Sequence, residues 1–110
     1  MQISTTTLNG VHIVTLDGKL DTNASTDFET YLQALVDGGA KRLLIDLDKV
    51  AFITSSGLRV LLATAKRIKA IDGDLFVCCL NQAVREVFDI SGFSTLLSVF
   101  DSQQEAIDAC

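Results

Sequence analysis

Proline is absent from all 110 residues, so glycines, asparagines and helix caps must make every turn. Tryptophan is absent as well, and only 6% of residues are aromatic, too few for a platform on which single-stranded nucleic acid stacks. Positive charge is scarce: nine Lys and Arg stand against fourteen Asp and Glu, for a net charge of -5. An acidic domain without a basic block repels phosphate backbones and anionic lipid, so neither nucleic acid nor a membrane surface is an expected partner. No apolar run reaches membrane-spanning length. The longest, around Leu58 to Ala65, is interrupted by Arg59 and Thr64. The start, Met1-Gln2-Ile3-Ser4-Thr5, has neither the charge nor the apolar stretch of a secretory signal. These absences predict a cytoplasmic protein without direct membrane insertion, although a partner could tether it there.

Cysteine is sparse and oddly counted: Cys78, Cys79 and Cys110. Two adjacent cysteines on a strand point to opposite faces, so they are expected to be small core residues rather than a disulfide. The only histidine, His12, falls within an expected strand and offers no ligand spacing, so no metal site is expected.

What is present is a core. Hydrophobic residues make up 48% of the chain and charged residues 21%, ordinary for one compact domain spanning 1–110. Asn9-Gly10 separates two runs rich in Val, Ile and Thr, the signal of a β-hairpin with a type I′ turn. Phe28, Tyr31, Leu32, Leu35 and Val36 recur at helical spacing, predicting a helix over about 23–37 that Gly38-Gly39 ends. Residues 42–47 form a continuous apolar run, expected to be a buried parallel strand. Asp48-Lys49 is expected to turn before Val50–Ile53, leaving Asp46 and Asp48 at a strand end reaching solvent. Leu58, Leu61, Leu62, Ala65 and Ile68 mark a second helix over about 56–70. Residues 75–80 are another strand, Asn81 a cap for a third helix with Val84, Val87 and Phe88 inward, 95–100 a last strand and 101–109 a short helix. The order is ββαβαβαβα, an α/β fold with a mixed, mostly parallel sheet and an N-terminal hairpin.

Enzyme motifs fail one after another. Gly-x-Ser-x-Gly and Gly-Lys-Ser/Thr do not occur, the glycines make no dinucleotide fingerprint, and Asp72-Gly73-Asp74 lacks the rest of a calcium loop. The chain is expected to be no enzyme and to need no cofactor. Phe52-Ile53-Thr54-Ser55-Ser56-Gly57-Leu58 is informative instead. Three hydroxyl residues stand where a strand turns into a helix. The ordinary role of such hydroxyls is capping. The same place, with open N–H groups and a partial positive charge, also accepts a phosphate.

The stretch Asp46-Leu47-Asp48-Lys49-Val50-Ala51-Phe52-Ile53-Thr54-Ser55-Ser56-Gly57-Leu58-Arg59-Val60-Leu61 resembles the signature of STAS domains, the bacterial anti-sigma factor antagonists and cytoplasmic domains of sulfate transporters. Leu16–Asp21, Gly73-Asp74-Leu75 and Val87–Phe93 extend the resemblance along the chain. It implies an antagonist that binds a serine kinase acting as an anti-sigma factor. Phosphorylation of the serine matching Ser55 releases that partner, and a PP2C-type phosphatase reverses the modification. It further implies a contact surface at Asp21, Thr22 and Asn23 and at Thr54, Ser56, Gly57, Leu58 and Arg59, and a monomer is the simplest expected state. Asp21 equally suits a helix cap. Two positions depart from the family. Thr54 replaces the usual Asp, so Thr54 or Ser56 stays open as the acceptor, and Arg59 replaces the usual Gly. A constitutive scaffold subunit of a transporter or signalling complex, without phosphorylation, is the alternative. Nucleotide sensing is disfavoured by the missing phosphate loop.

Overall fold

The computed structural model describes residues 1–92 and 97–109. Along the chain run β1 (Gln2–Leu8), β2 (Val11–Leu20), α1 (Thr22–Asp37), β3 (Arg42–Ile53), α2 (Ser55–Lys69), β4 (Asp74–Cys78), α3 (Gln82–Ser91), β5 (Ser98–Phe100) and α4 (Gln103–Ala109). This is the expected order. Of the strand expected at 95–100, Thr95 and Leu96 lie outside the described residues, as do Phe93 of the family stretch and Cys110.

The hairpin closes as its sequence dictates. Asn9 and Gly10 both take positive φ, 53° and 79°, and Leu8 pairs with Val11 across a two-residue loop. From β2 onward every pairing is parallel, and the sheet order is β1-β2-β3-β4-β5. Each new strand joins beside its predecessor. Right-handed crossovers in one direction place α1, α2 and α3 on the same face. Accordingly Phe28, Leu32, Leu61, Ile68, Val84 and Phe88 share one core with Leu43, Ile45 and Leu47 of β3. The alternate face of β3 carries Leu44, which packs with Val11, Ile13, Cys78 and Ala106 under α4.

Three expectations need correction. The turn at Asp48-Lys49 does not form, and β3 runs unbroken to Ile53. Thr15 pairs with Asp46 but Asp17 with Lys49, so an extra β3 residue is absorbed in a bulge. Asp46 consequently does not reach solvent. It is only 9% exposed, accepts from the Asp48 N–H at 2.9 Å, and accepts from Gln103 Nε2 at 3.0 Å. Cys79 lies beyond β4 with φ 64°, and this left-handed turn brings its sulfur to 3.5 Å from that of Cys78 rather than to the opposite face. His12 is the second residue of β2, beside the hairpin turn, with Nδ1 3.5 Å from Thr7 Oγ1.

Candidate functional site

Parallel strands share a C-terminal edge, and there the sheet ends at Leu20, Ile53 and Cys78. Neighbouring strands β2 and β3 therefore deliver the first turns of α1 and α2 side by side. The two junctions are bonded to one another. The Thr54 N–H donates to the Leu20 carbonyl at 3.0 Å, Thr54 Oγ1 donates to the same oxygen at 3.2 Å, and the Thr22 and Ser56 hydroxyls lie 3.4 Å apart. Asp21, Thr22, Thr54 and Ser56, far apart in sequence, thus form one patch. Asn23 is exposed one residue further along α1.

The two helix starts differ. Asp21 is the N-cap of α1: its carboxylate accepts from the Ala24 N–H at 2.9 Å, and its carbonyl accepts from Ser25 Oγ at 2.6 Å. Asp21→Ala is therefore expected to lower stability by about 1 kcal/mol, with Asp21→Ser close to the parent, as read by urea denaturation. Thr54 occupies the N-cap of α2, yet its side chain makes no capping bond, because its hydroxyl is turned to Leu20. Among the described residues the first-turn N–H groups of α2 are left without a side-chain acceptor, next to the positive end of a fifteen-residue helix. Ser55 is exposed there, and its hydroxyl has no hydrogen-bond partner among the described residues. Ser56 and Thr54 are half-buried.

Gly57 and Leu58 are buried, which corrects their expected place on a contact surface. A Cβ on Gly57 would stand 2.8 Å from Leu20 Cγ and 2.9 Å from Ile53 Cγ1. Glycine is the residue that lets α2 start directly on the ends of β2 and β3, and Leu58 anchors that start in the core. Arg59 is exposed, one helical turn beyond Ser55. It lines a groove between α1 and α2 together with Thr22, Ser56 and Glu29. Glu29 was not legible as part of this site, although its spacing of seven from Thr22 puts both on one face of α1.

The STAS domain family profile matches residues 2–106. BtrV of Bordetella bronchiseptica, named as a candidate anti-sigma factor antagonist, is 37% identical over 109 residues, covering 99% of this chain and 94% of its own. An anti-sigma factor antagonist from Mycobacterium paratuberculosis superposes with a TM-score of 0.91 at 25% identity, covering 98% of this chain and 92% of that one. SpoIIAA of Bacillus, an anti-sigma factor antagonist, has been solved in both states. Its unphosphorylated form gives a TM-score of 0.85 at 22% identity, covering 98% of this chain and 95% of that one. Its phosphorylated form gives 0.76 at 21%, covering 98% of each.

Proposed function

This chain belongs to the STAS domain family, and on that premise we propose that it is an anti-sigma factor antagonist, a non-enzymatic binding domain switched by phosphorylation of Ser55. In this reading residues 1–110 act as one monomeric unit in the cytoplasm. The edge formed by Asp21, Thr22, Asn23, Thr54, Ser56 and Arg59 docks on an anti-sigma factor that is also a serine kinase. The kinase modifies Ser55, the partner leaves, and a PP2C-type phosphatase resets the domain. The names of the relatives support the class of function, and the two forms of SpoIIAA support the kind of switch for that protein.

One observation carries the reading: Ser55 presents an exposed hydroxyl with no partner among the described residues, at the uncapped start of α2 and beside the α1 junction. A phosphate there adds a charge of about -1.5 to -2. The open N–H groups of α2 accommodate it without refolding the domain. A docked partner, in contrast, meets a dianion in the middle of its contact. Ser55 is favoured over its neighbours because Thr54 Oγ1 is engaged with Leu20 and Ser56 Oγ lies against Thr22.

Incubation with ATP and the kinase from the same organism, followed by mass spectrometric mapping, is expected to find phosphate on Ser55. A chain left unmodified at Thr54, Ser55 and Ser56 rules the switch out. The Thr54 substitution, which removes the family's usual negative charge beside the acceptor, favours the second reading, a constitutive scaffold subunit. Recovery of transporter subunits and no kinase in a pull-down would establish that alternative.

A further inference from the structure

A second cluster of reactive side chains lies on the opposite face of the sheet, outside the docking edge. Asp46 of β3, Cys78 at the end of β4 and Cys79 just beyond it place one carboxylate oxygen and two sulfurs within 4.8 Å of one another. We infer that these three side chains form a binding site for a thiophilic divalent cation, Zn2+ above all, with solvent as the fourth ligand.

The geometry separates this from the other chemistry open to two adjacent thiols. Two sulfurs on one tetrahedral zinc, each at about 2.3 Å, stand about 3.8 Å apart. The observed separation of 3.5 Å is close to that. A disulfide instead needs Cα atoms about 4.4–6.8 Å apart, whereas neighbouring residues on a trans chain are held at about 3.8 Å. The positive φ of Cys79 is what turns both sulfurs to one side, and a left-handed non-glycine residue is a backbone cost that a ligand would explain.

The surroundings suit a cation as well. The Asp48 N–H and Gln103 Nε2 each donate to one Asp46 oxygen, fixing the carboxylate while leaving each oxygen a lone pair. Cys78 is fully buried and Cys79 half-buried, so the pair has a wall on one side and an approach on the other. Binding forms two S–Zn bonds and one O–Zn bond and releases the two thiol protons to solvent. Thiolates select zinc over magnesium and calcium.

The test is a titration of the reduced full-length protein with Co2+, which reports thiolate ligation by a near-ultraviolet charge-transfer band and tetrahedral geometry by intense visible bands. The expected result is one Co2+ per chain, displaced by Zn2+ and indifferent to excess Mg2+. Cys110→Ser is expected to leave the spectrum unchanged. Cys79→Ser, a nearly isosteric change at a half-buried position, is expected to abolish the charge-transfer band while leaving the circular dichroism of the fold intact, and Asp46→Asn to weaken binding. A spectrum of oxygen-only octahedral cobalt, one cobalt per two chains, or an unchanged band in Cys79→Ser would overturn the assignment.

Discussion

Ser55→Asp is expected to weaken binding to the cognate anti-sigma factor by about 150-fold while raising the melting temperature by about 2–6 °C. The first figure corresponds to a coupling of about 3 kcal/mol between modification and docking. The carboxylate stands at an uncapped helix start, where a negative charge is stabilising by about 0.3–1 kcal/mol. Arg59, one turn further on, adds a pairing of about 0.2–0.5 kcal/mol within the helix. Both effects favour the free domain and are small beside the repulsion and desolvation at a covered interface. Calorimetric titration of the purified partner against the parent, Ser55→Asp and Ser55→Ala separates the contributions. Ser55→Ala is expected to bind as the parent does, since its hydroxyl holds no structural bond. Equal affinity for Ser55→Asp and the parent would sink the switch.

The second large effect falls on stability. Gly57→Val is expected to cost about 3 kcal/mol, and Gly57→Ala about 1–2 kcal/mol. The sign for alanine is the sharper test. In an open helical position alanine is better than glycine by about 0.5–1 kcal/mol. At Gly57 the new Cβ would overlap Leu20, which is fully buried and cannot swing away, and Ile53. Overpacking therefore outweighs propensity. Urea denaturation measures both variants, and a more stable Gly57→Ala would show that α2 does not rest on the strand ends as described. A displaced α2 start would also move Ser55, so loss of partner binding is expected to accompany the loss of stability.

The sequence disclosed the elements whose signals are local. Asn9-Gly10 demanded a two-residue turn, Gly38-Gly39 ended α1, and Asn81 capped α3, where it accepts from the Val84 N–H at 2.8 Å and donates to the Val50 carbonyl at 2.9 Å. It also disclosed the hydroxyl run at the α2 start. What it hid depended on partners distant in sequence. Asp48-Lys49 carries the composition of a turn, but β2 continues alongside, pairing Asp17 with Lys49 and Gly18 with Val50, and a bulge absorbs the extra residue. The burial of Asp46 needed Gln103, 57 residues away, and no local pattern announces that. Thr54 had the identity of a cap, yet the Leu20 carbonyl took its hydroxyl. The alternation rule for strands sent Cys78 and Cys79 to opposite faces, and it failed because the strand stops between them.

The progressive sheet order has a kinetic consequence. Each strand hydrogen-bonds to the strand before it in the chain, so no pairing must wait for a distant segment to be threaded between others. Loop-closure entropy is met one helix-length at a time, which favours fast assembly for a sheet of this size. With no proline, the slow isomerisation that often limits refolding has no site to act on. The chain is built to regain its native form soon after synthesis or stress.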